Sequence, residues 1–179
     1  MMKNILILSG SPRKGGNSDT LCDQFMAGAQ ESGHNVEKIW VQGEKIAPCL
    51  GCGHCQQHAG VCVQKDAMAG ILQKMVEADV LVLASPVYFY SVSAQIKALI
   101  DRTVARYTEI KNKSMYYIIA AADTNLAHME RTIECFRGFA YCIEGSVEKG
   151  VVYGVGAWNK GEIKALPSMA QACEMGKSV

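Results

Sequence analysis

The sequence predicts a single α/β domain, in which a doubly wound, five-stranded parallel sheet is covered by helices on both faces. Short apolar segments alternate with segments whose apolar residues recur at helical spacing, and this β-α unit occurs five times. The apolar segments show little polar alternation, which is typical of strands buried on both faces. No linker, repeat or low-complexity tract divides the 179 residues, and this length is enough for one core.

The first half of the chain contains three predicted strands. A buried strand at residues 5–9 is followed by a helix over residues 18–33. The strand at residues 36–41 is more polar, which places it nearer an edge of the sheet. A helical stripe at residues 68–76 leads to a strongly apolar strand at residues 79–84, which a Ser-Pro pair ends.

The second half continues the same alternation. Apolar residues at helical spacing predict a helix over residues 92–104, followed by a strand at residues 115–122. A further helix over residues 129–143 precedes the fifth strand, at residues 147–155. A helix over residues 166–175 completes the predicted set, so that every strand has a helix to cover it.

The loop after the first strand reads Gly10-Ser-Pro-Arg-Lys-Gly-Gly-Asn-Ser18, which suits phosphate binding at a helix N terminus. Neither the ATPase P-loop pattern nor the Gly-x-Gly-x-x-Gly dinucleotide fingerprint follows this strand. The alternative is an ordinary surface turn, since these residue types favour turns in any case. The charged and hydroxyl or amide side chains available to phosphate oxygens are Ser9, Ser11, Arg13, Asn17, Ser18 and Thr20.

The loop after the third strand reads Ser85-Pro-Val-Tyr-Phe-Tyr-Ser91 and contains three aromatic rings. Such rings are costly to expose, and they suit packing against a flat ring system. In doubly wound sheets, ligands bind outside the carboxyl ends of the strands, so the loops after strands one, three and four should converge. The alternative is that Tyr88, Phe89 and Tyr90 pack into the core or a subunit interface.

Composition and charge exclude several classes of function. A net charge of +1 argues against a nucleic-acid or anionic-membrane partner. No apolar stretch is long enough to cross a bilayer, and the first apolar run is too short for a signal peptide. We therefore expect a cytoplasmic protein, whose eight cysteines are reduced thiols or metal ligands rather than disulfides.

Three segments, Gly10-Ser-Pro-Arg…Asn17-Ser18, Ser85-Pro-Val-Tyr-Phe89 and Lys97-Ala-Leu-Ile-Asp-Arg102, together resemble the flavodoxin-like, NADPH-dependent FMN reductase family. The branch that looks most similar contains the iron–sulfur flavoproteins. The resemblance covers nearly the whole chain and implies a flavodoxin-like fold of strand order 2-1-3-4-5 with bound FMN, whose own reactivity makes a protein nucleophile or base unnecessary. It implies that the FMN phosphate is held by Ser11, Arg13, Asn17 and Ser18, and that the isoalloxazine ring is lined by Pro86, Val87, Tyr88 and Phe89.

A cysteine-rich insertion at about residues 43–66 interrupts the single domain, which spans residues 1–179. It contains Cys49, Cys52, Cys55 and Cys62, and two successive Cys-x-x-Cys steps are typical of [4Fe–4S] ligation. The spacing also resembles the compact motif of iron–sulfur flavoproteins. Zinc, with His54 or His58 as additional ligands, and a metal-free thiol segment are the open alternatives.

These observations lead to three hypotheses of function. The first is an FMN-dependent oxidoreductase that passes reducing equivalents from NAD(P)H to a quinone, free flavin, metal ion or other acceptor. The second is an iron–sulfur flavoprotein that exchanges electrons with a ferredoxin-like redox protein, and the third is a flavin-binding sensor with a thiol switch. Exposed aromatic residues and the long insertion favour a homodimer or homotetramer.

Overall fold

The computed structural model describes residues 1–179 and has the predicted α/β architecture. Its five strands are all parallel and lie in the order 2-1-3-4-5, which confirms the expected flavodoxin-like topology. The more polar second strand is at an edge of the sheet, as its pattern predicted, and every residue of the third strand is buried. The strands are β1 (Asn4–Ser9), β2 (Asn35–Trp40), β3 (Val80–Pro86), β4 (Ser114–Ala121) and β5 (Val147–Val155).

Helices cover both faces of the sheet. They are α1 (Asn17–Glu31), α2 (His54–Gln57), α3 (Met68–Glu77), α4 (Ala94–Arg102), α5 (Leu126–Tyr141) and α6 (Ser168–Lys177). Because side chains alternate along a strand, Ile5 and Ile7 of β1 join the core beneath α1 and α6, whereas Leu6 and Leu8 join the core beneath α3, α4 and α5. None of these helices combines the length and hydrophobicity needed to cross a bilayer.

Two local features differ from the sequence predictions. The fourth helix ends at Arg102 rather than near residue 104, and the chain continues as a 3₁₀ turn over Thr103–Ala105. The Thr103 hydroxyl donates to the Ile100 carbonyl oxygen at 2.7 Å, a side-chain bond to the last turn of the helix. In the cysteine-rich insertion, which lacks a helical pattern in the sequence, one short helix (α2) follows Gly53, whose φ of 69° is left-handed.

Helices α1 and α6 pack against each other so closely that their backbones touch. A Cβ atom placed on Gly28 would lie 2.0 Å from the Cys173 carbonyl oxygen, and one on Gly176 would lie 2.1 Å from the Phe25 carbonyl oxygen. No side chain fits between backbones at these distances. The pair of glycines therefore sets the spacing of the two helices that cover one face of the sheet.

Replacing Gly28 with alanine should lower the free energy of unfolding by about 1–3 kcal/mol, because the added methyl group must push α6 away. The matched control is Gly70→Ala in α3, where a Cβ meets no atom within 4 Å. Gly70→Ala should be more stable than wild type by about 0.5–1 kcal/mol, because alanine loses less conformational freedom than glycine when the helix forms. Urea denaturation of both variants checks the prediction, and equal stability of the two would contradict it.

Candidate active site at the carboxyl edge of the sheet

A cavity of about 380 Å³ opens at the carboxyl ends of the strands, which is within the size range of small-molecule sites. It lies where the first and third βα loops meet, as the switch-point rule predicted. Seven of the eight predicted cofactor residues line it: Ser11, Arg13, Asn17, Ser18, Pro86, Val87 and Tyr88. The end of β4 and the residue after it complete the wall with Ala120, Ala121 and Ala122, and the loop after β5 adds Ala157 and Trp158.

Gly10 joins the first loop to the third. Its N–H donates to the Ala84 carbonyl oxygen at 2.8 Å, and its own carbonyl oxygen accepts from the Ser93 hydroxyl at 2.7 Å. A Cβ atom on Gly10 would lie 2.7 Å from the Cβ of Ile96 on α4. Glycine is therefore required here, because any side chain would separate the two loops that form the cavity.

The buried carboxylate of Asp19 holds the first loop in place through hydrogen bonds. It accepts from the Ser9 hydroxyl at 2.7 Å, from the Gly15 N–H at 2.8 Å and from Lys38 at 3.1 Å. Burial raises the pKa of this carboxyl group, but the hydrogen bonds from Ser9, Gly15 and Lys38 outweigh burial and leave the pKa below its ordinary value. Asp19 thus fixes the shape of the loop, a role that the sequence analysis did not assign.

The N terminus of α1 offers free donors to the cavity. Its N-cap residue, Gly16, has no side chain to bond the first-turn N–H groups. The Ser18 hydroxyl is buried and has no hydrogen-bond partner in the protein, although Ser18 lines the cavity. The exposed Arg13 guanidinium makes no ion pair or hydrogen bond within the chain. These unused donors fit an anionic group such as the phosphate of FMN.

Ser11 and Asn17 line the cavity, but their side chains are already bonded within the protein. The Ser11 hydroxyl donates to the Arg13 carbonyl oxygen at 2.8 Å. The Asn17 amide donates to the carbonyl oxygens of Ala157 and Asn159, at 3.3 and 2.9 Å, and accepts from the Gly161 N–H at 2.9 Å. Asn17 therefore ties the loop after β5 to the start of α1 and leaves its backbone N–H for a ligand.

The aromatic residues of the third loop do not all face the cavity. Tyr88 lines the cavity, whereas Phe89 lies outside it with its side chain fully exposed. Tyr88 and Ser91 bond each other's backbone at 3.0 Å in both directions, and Phe89 and Tyr90 between them have left-handed φ values of 50° and 57°. Such values are rare for bulky residues, and strain of this kind clusters at functional sites.

Tyr90 is held away from the cavity by contacts with the fourth loop and α5. Its hydroxyl donates to Asp123 at 3.1 Å, and the Arg131 guanidinium lies 5.7 Å from the centre of its ring. His128 contacts the same carboxylate of Asp123 at 2.7 Å. These contacts fix the turn in the orientation that directs Phe89 outward.

The four cysteines of the insertion line a second cavity, of about 150 Å³. All four are free thiols, and no three histidine, cysteine or acidic side chains lie close enough together to hold a metal ion. His54 and His58 stack on each other with ring centres 3.7 Å apart. The thiol donors suit iron–sulfur chemistry, but their arrangement in this structure does not form a ligand set.

The fold and the position of the cavity at the carboxyl edge of the sheet define a flavodoxin-like α/β protein. The NAD(P)H:quinone oxidoreductase from Methanothermobacter marburgensis superimposes with a TM-score of 0.77 over 99% of this chain and 97% of its own, at 16% identity. An azoreductase from Bacillus anthracis gives a TM-score of 0.76 over 99% of this chain and 100% of its own, at 17% identity. At these identities the likeness concerns the fold alone.

Sequence comparison identifies the family within that fold. The profile of the NADPH-dependent FMN reductase family matches residues 3–147, and the chain belongs to this family of flavoprotein oxidoreductases. It is 33% identical over 160 residues to the iron-sulfur flavoprotein of Methanosarcina thermophila, covering 87% of this chain and 82% of that protein. An iron-sulfur flavoprotein of Archaeoglobus fulgidus is 45% identical over 101 residues, which cover 56% of this chain and 45% of that relative.

Replacing Asp19 with asparagine should lower the free energy of unfolding by about 1–3 kcal/mol near pH 7, because an amide NH₂ would face the donors of Ser9 or Gly15. The folded-state pKa of Asp19 is depressed, so its stabilisation is complete above the unfolded pKa near 4 and is lost as the pH falls through the folded value. The difference in free energy of unfolding between Asp19→Asn and wild type should therefore be constant above about pH 5 and become smaller at acid pH.

Asp23→Asn is the matched control for this prediction. Asp23 pairs with the same Lys38, but its side chain is 46% exposed. Exposed ion pairs contribute about 0–1 kcal/mol, so this variant should stay close to wild type. Urea titrations at several pH values check both variants. If Asp23→Asn lowers the free energy of unfolding as much as Asp19→Asn does, the role assigned to Asp19 in holding the first loop is wrong.

Proposed function

We propose that the cavity at the carboxyl edge binds FMN. The single observation that carries the proposal is the buried Ser18 hydroxyl, which lines the cavity and has no partner in the protein. The uncapped N terminus of α1 and the unpaired Arg13 support a phosphate at the same end. Pro86, Val87 and Tyr88 supply the apolar wall that suits the flavin ring, and Trp158 lines the same cavity as a further aromatic side chain.

We infer that the protein is an NAD(P)H-dependent oxidoreductase. When bound, FMN supplies the redox chemistry, accepting hydride from NAD(P)H and passing reducing equivalents to a quinone, flavin or other acceptor. The chain's own residues bind and orient it: the α1 N terminus and Arg13 neutralise the phosphate, and Asp19 holds the loop in the binding shape before the ligand arrives. Pro86, Val87 and Tyr88 of the third loop would keep water from one side of the ring.

Alanine at Arg13 or Ser18 should weaken FMN binding about tenfold each, since each change removes one contact to an anion. The control is Lys14→Ala, which removes the neighbouring exposed cation that does not line the cavity and should leave the affinity unchanged. Quenching of FMN fluorescence during titration measures all three. Equal affinity in Arg13→Ala and Lys14→Ala would contradict the phosphate assignment.

Turnover tests the proposed activity separately. The FMN-loaded protein should oxidise NADPH or NADH when a soluble naphthoquinone is present, and the rate should follow the fraction of protein that holds FMN. Stable FMN binding without any oxidation of NADPH or NADH would contradict the proposed oxidoreductase activity and favour the hypothesis of a flavin-binding sensor.

A second candidate function is favoured by the cysteine insertion. All four cysteines line one cavity, and several relatives are named iron-sulfur flavoproteins. We propose that the segment draws its thiolates together around a [4Fe–4S] cluster that exchanges electrons with a redox protein. Because the side chains in this structure are not gathered into a ligand set, cluster binding requires the segment to rearrange.

Anaerobic purification should then yield about four iron atoms and four sulfides per chain, with the broad visible absorption of a cluster. Serine at Cys52 and Cys55 together should abolish the iron, whereas Cys135→Ser, outside the insertion, should retain it. Iron-free protein from anaerobic cells, or iron that survives in the double variant, would contradict this function.

We further propose a homodimer or homotetramer located in the cytoplasm. The support for an oligomer is exposed apolar surface: Trp158, which lines the cavity, is 76% exposed, and Phe89, which follows the lining residue Tyr88, is fully exposed. Sedimentation analysis of the FMN-loaded protein tests the oligomeric state.

A further inference from the structure

We propose that a third cavity, beside the cysteine insertion, binds a small organic anion with an apolar body. This cavity has a volume of about 530 Å³, within the size range of small-molecule sites. It lies between the end of the insertion, helix α3 and the chain that follows α4, and it shares no lining residue with the FMN cavity. The inference goes beyond the proposed FMN site and does not depend on it, and it concerns the insertion in the arrangement described above, in which the cysteines are not gathered around a cluster.

The floor of this anion cavity is apolar. Met68 and Leu72, which are four residues apart and so lie on one face of α3, are both buried and line the cavity. Val61 lines it from the insertion and is 51% exposed. An apolar ligand body would cover the exposed part of Val61 and pack above Met68 and Leu72.

Most of the charged side chains that line the cavity are paired with one another. Asp66 is paired with Arg102 through two hydrogen bonds, at 2.7 and 2.9 Å, and Glu109 is paired with Arg106 at 3.0 and 2.7 Å. Lys65 has no carboxylate partner, and its ammonium group makes a single 3.4 Å contact with a carbonyl oxygen. The lining therefore has one unpaired positive charge.

Arg102 provides the independent sign of a missing ligand. It is 2% exposed, and its Nε–H is buried without any hydrogen-bond partner, whereas its other nitrogens bond Asp66, the Ala47 carbonyl oxygen and the Cys62 sulfur. A buried unpaired donor of a charged group is costly. A ligand carboxylate that displaces the surrounding side chains slightly would supply an acceptor for this donor, and Lys65, which lines the same cavity, would add a positive charge beside the carboxylate.

The anion cavity and the cysteine cavity share Cys62, Gln64 and Arg102 as lining residues. A ligand in the anion cavity would therefore cover Cys62 from one side without reaching Cys49, which lines only the cysteine cavity. Protection of Cys62 but not of Cys49 from chemical modification would therefore report on this cavity independently of flavin chemistry.

Cinnamate, an aromatic carboxylate with a planar apolar body, is the probe, and cinnamyl alcohol is its uncharged counterpart. Calorimetry of FMN-saturated protein should show one cinnamate site with a Kd below about 1 mM, and the alcohol should bind at least tenfold more weakly. In iodoacetamide footprinting read by mass spectrometry, cinnamate should slow modification of Cys62 several-fold and leave that of Cys49 unchanged.

Ala69→Trp and Lys65→Ala are the test variants. Ala69 is an exposed lining residue of α3, so an indole there should fill the cavity and abolish cinnamate binding, whereas Lys65→Ala should weaken it about tenfold. The control, Ala170→Trp, places the same side chain on an exposed position of α6 outside the cavity and should bind cinnamate like wild type.

Three results would overturn the proposal. They are the absence of cinnamate binding at millimolar concentration, equal binding of the alcohol, and unchanged binding in Ala69→Trp. Because FMN affinity is measured on the same samples, a protein that binds FMN but not cinnamate refutes only the anion site. One that binds cinnamate but not FMN refutes only the flavin site.

Discussion

The close contact of Gly10 with β3 and α4 is the constraint on which the site depends. Both backbone polar groups of Gly10 are bonded to the third βα unit, and the backbone approaches Ile96 too closely for a Cβ. Parallel strands bring their loops to the same edge, but this contact fixes how far apart the first and third loops stand. The FMN cavity is the space that remains between them.

Helix α4 connects the two chemically distinct regions of the molecule. Its N-cap, Ser93, bonds Gly10 at the FMN cavity, and its last residue, Arg102, holds the cysteine insertion. Nine residues of helix span about 13 Å. The insertion is therefore anchored to a rigid element that also borders the flavin site, so neither region can shift relative to the other without disturbing α4.

Buried charges organise both regions by the same physical means. Asp19 is surrounded by donors beneath the first loop, and Arg102 is surrounded by acceptors at the base of the insertion. A buried charge is tolerated only when its partners are held in place, so each one fixes the local backbone. Neither the first loop nor the insertion contributes a buried apolar side chain to the core, and these charges hold them in place instead.

The sequence by itself determined the alternation of strands and helices and the edge position of β2, because hydrophobic periodicity is a local property. Loop composition pointed to the first and third loops, and the family resemblance picked out the seven of their residues that line the FMN cavity. Tertiary structure alone decided four features of the site. They are the outward position of Phe89, the hydrogen bonds that occupy Asn17, the support of the first loop by Asp19 and the contribution of Trp158 to the cavity wall. Each depends on contacts between segments far apart in the chain, such as Asn17 with the loop after β5, and no local pattern encodes those distances. Cysteine spacing likewise suggested a ligand set, whereas the separation of the thiols depends on how the insertion packs against α4.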